Sequence, residues 1–387
     1  MEYKSIKQVR TLERKRVLLR LDLNVPLING QVDKHGTWRL QRVLPTLQYL
    51  IESKSKIIIV AHLGRPDGKR VDSLSLRPVA EALGKLLAKS IDFWDKDLRS
   101  YEDDSWNIND GQVVMLENIR FEAGETANDD ALAFDLSKLA DIYVDDAFAN
   151  MHRTHASMVA ICNHLPGYIG LLVAQEIEEL SQALFNKKGL VAVLGGSKIA
   201  TKIKLIKRFV QKADSVLLGG ALANTMLAAQ GIKLGKSVVD KKSLTLAKKL
   251  LDKKIHIPQD AIVASSLNAR TSYMVDIDQI RVSDMVLDIG PQTIKDFSNI
   301  IKNAKLIIWN GPLGYIENDL FDDGSKKILQ AMIKSPAKII IGGGETVELV
   351  QRLDMQDDID FMSTGGGAML TYLQGDRLLA LEKLKVE

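Results

Sequence analysis

With 387 residues, 46% of them hydrophobic and 26% charged, the chain has the composition of a globular protein and the length of two domains rather than one. A net charge of +3 gives no bulk attraction to nucleic acid or an anionic membrane, and no apolar run approaches the roughly 18 residues of a membrane helix. The one cysteine, Cys162, excludes an intrachain disulfide, and the N-terminal stretch has charges but no apolar signal core, so a cytoplasmic protein is expected.

In chain order, the first half predicts strands at Val17–Leu23, Ile57–Ala61, Val113–Leu116 and Ile142–Val144, with helices over 38–53, 76–89 and 127–140. A long helical pattern, 170–189, closes at Gly189 past its basic end and is expected to join two lobes. The second half predicts strands at Leu190–Leu194, Ser215–Leu218, Ala261–Ala264, Met285–Asp288, Leu306–Trp309 and Lys338–Ile341. The stretch 240–254 sets leucines against lysines without interleaved aromatics, which suits a solvated amphipathic helix better than a nucleic-acid surface. The last twelve residues, 376–387, are also amphipathic. Short apolar runs alternating with helices argue for βαβ units and parallel sheets, an α/β fold.

The residues that follow the strands differ between the halves. First-half strands run into LDLN, AHLGR, ENIR and DDAFANMHR, which supply Asp22, Asn24, His62, Arg65, Arg120 and Arg153. In a parallel sheet these ends share one edge, so the charges converge on an anion site rather than scatter over the surface. Second-half strands run into LGG, LGG, DIGP, WNGP, IGGGET and STGGG. Such turns let backbone approach a ligand and offer free N–H groups to phosphate, although tight turns with no ligand read the same way. Lys198 and Lys202, four apart at a helix start, oppose the helix dipole; solvated surface lysines are the plain reading, phosphate between them the specific one.

Familiar fingerprints are missing. The segment GIKLGKS, 231–237, is one residue short of a phosphate-binding P-loop and reads as a loop; no G-x-G-x-x-G occurs, so a nicotinamide enzyme has no support. His152 and His155 flank Arg153, but zinc would want more ligands at tighter spacing.

The set LDLNVPL, AHLGRP, LENIRF, MHRTHAS, LGGSKIATKI, WNGPLG, GGGET and STGGG resembles the phosphoglycerate kinase family, in family order and over nearly the whole chain. The resemblance implies two Rossmann-like three-layer domains with parallel sheets, facing across a hinged cleft. It implies a triose domain over 1–170, a connecting helix over 171–189, a nucleotide domain over 190–370, and a tail, 371–387, packing back on the first domain. The first domain would bind 3-phosphoglycerate or 1,3-bisphosphoglycerate through Asp22, Asn24, Arg39, His62, Arg65, Arg120 and Arg153. The second would bind Mg-ADP or Mg-ATP through Gly196, Lys202, Gly219, Asn310, Pro312, Glu317 and Gly343, Gly344, Glu345 and Thr346, with Glu345 toward Mg²⁺.

The activity implied is reversible phosphoryl transfer between the acyl phosphate and ADP, by a monomer with no nucleic-acid or membrane partner. On closure, Arg39, Lys198 and Lys202 would surround the transferring group, with backbone N–H groups near Gly344 and Gly366 completing the shell. The chain departs from the family pattern at Ala149, Ser197, Gln292, Glu345 and Thr371, where glycine, alanine, lysine, aspartate and glutamate are usual. The competing reading is a catalytically silent binding protein on the same scaffold; the basic ring and both lysines favour the enzyme.

Overall fold

The structure, a computed structural model, describes residues 3–185, 188–196 and 199–386. Its strands in chain order are β1 (Arg16–Arg20), β2 (Leu27–Ile28), β3 (Gln31–Val32), β4 (Lys56–Val60), β5 (Ile91–Trp94), β6 (Val113–Leu116), β7 (Ile142–Asp145) and β8 (Gly167–Ile169). Then follow β9 (Leu190–Leu194), β10 (Ser215–Leu218), β11 (Ile255–His256), β12 (Asp260–Ala264), β13 (Tyr273–Asp276), β14 (Met285–Ile289), β15 (Leu306–Asn310), β16 (Lys338–Gly342) and β17 (Phe361–Met362).

The chain divides into two compact units, Met1–Glu178 with Asp376–Glu387, and Glu179–Gly375. The division falls inside the helix Leu171–Phe185. Residues 371–374, read from the sequence as tail, belong to the helix Gly367–Gln374 of the second unit. The chain end lies against the start of the first unit: Lys4 N–H donates to the Leu384 carbonyl at 2.9 Å, and the Leu384 side chain is buried.

Each unit is built on a six-stranded parallel sheet, in the order β5-β6-β4-β1-β7-β8 in the first and β11-β10-β9-β15-β16-β17 in the second. Every residue of β1, β6, β7, β9 and β15 is buried, the pattern of parallel strands covered on both faces, which explains the apolar runs at their centres, with polar residues only at strand ends. In each sheet the strand order turns around at one central strand, β1 in the first and β9 in the second. The crevice beyond the carboxyl end of such a strand is where open α/β sheets take ligands.

Several sequence expectations need correction. The strands over Ala261–Ala264 and Met285–Asp288 do not extend the parallel sheet. They form β12 and β14 of a separate antiparallel sheet ordered β13-β12-β14. Parallel pairing needs a crossover of a dozen or more residues, usually helical, whereas only a 3₁₀ turn, Ile277–Gln279, and β13 lie between these strands. The DIGP turn at 288–291 therefore does not lie on the parallel sheet's edge. The first strand ends at Arg20, not Leu23, because the chain leaves the ladder after Leu21 N–H bonds to the Val60 carbonyl at 3.0 Å.

The helix expected over 127–140 is broken. Asn128 adopts a left-handed conformation (φ 56°), and Asp129 caps a new helix by accepting from Leu132 N–H at 2.9 Å. In the stretch 240–254 the helix proper is only Leu244–Leu250, and Leu246 is exposed rather than buried.

Candidate active site

The first unit gathers its charged residues beyond β1, β4, β6 and β7. Arg20, the last residue of β1, is fully buried. Its Nε donates to Ser157 Oγ at 3.0 Å and its Nη1 to the Leu21 carbonyl. Its Nη2 lies 3.3 Å from His62 Nδ1. A guanidinium only donates, so Nδ1 must accept. Burial foremost, then Arg20, with Arg120 and Arg153 adding to it against Asp22, holds the imidazole well below its usual pKa. His62 is therefore neutral near pH 7, with its proton on Nε2. The sequence reading missed Arg20, although a lone arginine inside an apolar strand was the available signal.

Asp22 sits two residues on and pairs with Arg39. Burial alone would raise its pKa, but Arg39, His62 and Arg20 outweigh that and hold it below the usual value. Arg39 lies in the first turn of the helix Thr37–Glu52, where a cation opposes the helix dipole; the Asp22 carboxylate compensates. Asn24 is exposed and its Oδ1 accepts from Gly64 N–H at 2.9 Å, linking the β1 and β4 ends.

Arg120 follows β6 and is buried. Its Nη1 donates to the Gly64 carbonyl, while its buried Nε has no hydrogen-bond partner among the described residues. Burial, then Arg153 and Arg20, and Arg65 as well, against Glu125, pull its pKa down to about 10. Arg153 is lowered by burial and by Arg65 and Arg20, against the pull of Asp22. The structure thus brings Arg20, Arg65, Arg120, Arg153 and His62 together, with like charges destabilising one another. One free buried donor and mutual repulsion are what an anion would relieve.

The second unit presents backbone instead of charge. Lys202, on the helix Ile199–Lys212, is its one predicted cation among the described residues; Lys198 lies outside them. The Lys202 Nζ donates to the carbonyls of Gly195 at 2.6 Å and Asn310 at 3.0 Å. Burial lowers its pKa to about 8, partly offset by Glu345.

The turns after β9, β10, β15 and β16 interlock. Gly196 N–H donates to the Pro312 carbonyl at 2.8 Å, and Gly311 N–H to Thr346 Oγ1 at 2.8 Å. Asn310 Nδ2 donates to the Gly342 carbonyl at 2.9 Å. Asn310 and Thr346, expected at a nucleotide, therefore spend these bonds holding turns together. Gly311 has φ 90°, and a Cβ there would stand 2.4 Å from the Gly195 carbonyl oxygen and 2.5 Å from Lys202 Nζ.

A cavity of ≈ 250 Å³ adjoins these turns. Gly196, Gly220, Pro312, Glu317 and Glu345 line it together with an apolar set including Ala223, Leu227, Val238, Leu287, Leu313 and Tyr315. Gly219, expected at the ligand, instead makes room for Leu313, which a Cβ would meet at 2.5 Å; its neighbour Gly220 lines the cavity. The apolar lining comes from the helix Gly220–Ala229, from β14 and from separate loops, so no single local pattern reveals it.

Gly344 begins the helix Gly344–Arg352 after Gly343, and Gly366 caps the helix Gly367–Gln374; a Cβ at Gly344 or Gly366 would meet open space. Glu345 is exposed in the first turn of its helix, with its Oε2 3.9 Å from a Cβ position at Gly196. No group of three or more His, Cys, Asp or Glu able to hold a metal occurs among the described residues.

An apolar cavity continuous with glycine turns suits a nucleotide, and a convergent arginine cluster suits a small polyanion. Comparisons with known proteins show the family. The phosphoglycerate kinase family model matches residues 6–376. The phosphoglycerate kinase of Finegoldia magna is 37% identical over 393 residues, covering 99% of each chain. That of Roseiflexus sp. (strain RS-1) is 40% identical over 372 residues, covering 93% of this chain and 94% of its own. The structure of phosphoglycerate kinase from Coxiella burnetii matches with a TM-score of 0.87 at 37% identity, over 99% of this chain and 98% of that one. The Pyrococcus horikoshii OT3 enzyme matches with a TM-score of 0.87 at 31% identity, over 98% of both chains.

Proposed function

The chain belongs to the phosphoglycerate kinase family, enzymes of glycolysis that transfer a phosphoryl group reversibly between 1,3-bisphosphoglycerate and ADP, and on that premise we propose which of its residues do what. The first unit holds 3-phosphoglycerate or 1,3-bisphosphoglycerate. The observation that carries this is the convergence of Arg20, Arg65, Arg120 and Arg153 around neutral His62, with burial and like charge lowering the pKa of Arg120 and Arg153. His62 Nε2–H and the arginines donate to carboxylate and phosphate oxygens. Asp22, a carboxylate beside them, accepts from the triose hydroxyl.

The second unit holds ADP or ATP, with the base in the apolar cavity and the phosphates toward the glycine turns. Mg²⁺ comes with the nucleotide, neutralises phosphate charge and keeps most of its waters, which fits a site that offers the Glu345 carboxylate but, among the described residues, no full set of protein ligands.

Phosphoryl transfer asks for alignment, exclusion of water and neutralised charge more than for covalent help. Arg39 from the first unit and Lys198 and Lys202 from the second surround the transferring group, and N–H groups at Gly344 and Gly366 donate to its oxygens. Ligands held on different units react only when a hinge motion brings them together, so closure commits the enzyme. On this reading the chain works as a monomer in the cytoplasm.

Calorimetry on the full chain tests the assignment. Arg65→Ala and Arg120→Ala should weaken 3-phosphoglycerate binding while leaving ADP binding intact; weakened ADP binding with the triose unaffected would reverse it. A coupled assay of ATP formation from 1,3-bisphosphoglycerate separates the enzyme from the silent binder.

A further inference from the structure

We infer that Asn118 is a positioning residue that staples the ends of β4 and β6, so that His62, Arg65 and Arg120 converge on one anion. Asn118 follows β6 and caps the turn Ile119–Phe121, and only 2% of it is exposed. Its Oδ1 accepts from Leu63 N–H at 3.2 Å and from Arg120 N–H at 3.1 Å. Its Nδ2 donates to the carbonyls of Leu63 at 2.7 Å and Leu74 at 2.9 Å. These bonds use both donors and both lone pairs of the amide, leaving nothing for a ligand. Asn118 therefore acts through others.

The need for such a staple follows from the ladder. Pairing between β4 and β6 ends at Ile59 opposite Met115, and one further bond, Ile119 N–H to the Ala61 carbonyl at 3.1 Å, closes the register. Beyond that the two chains diverge into the loops that carry the basic groups. Leu63 stands between His62 and Arg65, and Arg120 is itself a partner of the amide. The Asn118 side chain fixes both loops where the sheet no longer can.

Its own backbone is held in turn. Glu117 Oε1 accepts from Asn118 N–H at 2.8 Å and Leu76 N–H at 2.9 Å, and Oε2 accepts from Ser75 Oγ at 2.8 Å. Only an amide of this length fits the staple. Aspartate would face two carbonyls with an oxygen and bury a carboxylate beside Arg120, and an apolar side chain would leave four backbone groups, three of them buried, without this partner.

The inference rests on the triose assignment of this cluster. Asn118→Asp and Asn118→Ser are made in the full chain and melted by circular dichroism. Each is then titrated calorimetrically with 3-phosphoglycerate and, separately, ADP. The triose affinity should fall by roughly tenfold to about 10²-fold, the scale of positioning groups displaced by about 1 Å, with ADP affinity held within about twofold. Triose affinity retained in a folded variant overturns the proposal, as does an equal loss of both ligands. Failure of both variants to fold also overturns it, because Asn118 would then be a residue of stability alone. A wild-type chain that bound no 3-phosphoglycerate would remove this proposal and the triose assignment together.

Discussion

The two units place their functional residues alike and equip them oppositely. Each has a six-stranded parallel sheet whose order turns at one central strand, and each clusters its candidate residues beyond that strand's carboxyl end. Beyond β1 the residues are Asp22, His62, Arg120 and Arg153, ionisable side chains carried on separate loops. Beyond β9 they are Gly196, Gly220, Gly311 and Gly343, all with positive φ, where the backbone itself is the surface. A site made of side chains is broken by removing atoms, and one made of backbone by adding them.

The largest effect is expected where atoms are removed from the reacting group's surroundings. Arg39→Ala should lower kcat by about 10³-fold or more, by analogy with arginines that stabilise phosphoryl transfer, with the triose KM changing far less. Arg65→Ala should show the opposite balance. Steady-state kinetics in both substrates decide it: a raised KM with kcat intact would make Arg39 a substrate anchor only.

Adding atoms to the second site should come next. Gly311→Ala puts a methyl 2.4 Å from the Gly195 carbonyl oxygen at φ 90°. Strain of about 1–3 kcal/mol should weaken ADP binding by roughly 10- to 100-fold and leave 3-phosphoglycerate affinity unchanged. Undiminished ADP affinity by calorimetry would show that the turn is not part of the nucleotide site.

Glu345 and Lys202 are side chains among the backbone groups of the second site, and on the proposed reading Glu345 faces the metal. Glu345→Ala should weaken Mg-ADP by roughly tenfold, the scale of one charged contact, and metal-free ADP much less. Equal losses would detach Glu345 from the metal.

The smallest effect is a pH dependence. Lys202 falls from its ordinary 10.5 to about 8 when folded. Between those values the unfolded chain holds a proton that the free folded chain has lost, so the Lys202 contribution to stability rises with pH across that window. A bound nucleotide favours the ammonium, so ADP affinity should decline a few-fold as pH climbs past 8, with proton uptake on binding. Titrations in buffers of different ionisation enthalpy check this; Lys202→Met should abolish the uptake, and uptake that persisted would assign it elsewhere.

The same contrast explains which features are legible in the sequence. Buried parallel strands announce themselves as apolar runs, so β4, β6, β9, β10, β15 and β16 were visible within a residue at either end. The charged and glycine-rich ends of these strands were visible too, because both depend on residue type next to a strand. Arg20 was not, since it lies within an apolar run and its partners His62 and Ser157 are distant in sequence. The antiparallel β12 and β14 were misplaced because apolar runs do not record strand direction; only the missing crossover helix does.

By itself, then, the sequence determined the class of fold, the alternation of elements, the charged character of one set of strand ends and the glycine character of the other. These follow from local periodicity and from residue type at strand ends, which short-range sterics and solvation impose. Tertiary structure alone decided that Arg20 sets the His62 tautomer, that Asn310 and Thr346 hold turns together, and that Gly220 rather than Gly219 lines the cavity. Each of these is a contact between residues on different loops or on opposite sides of one turn, fixed by how the sheets stack their ends and by which atoms must fill the space left.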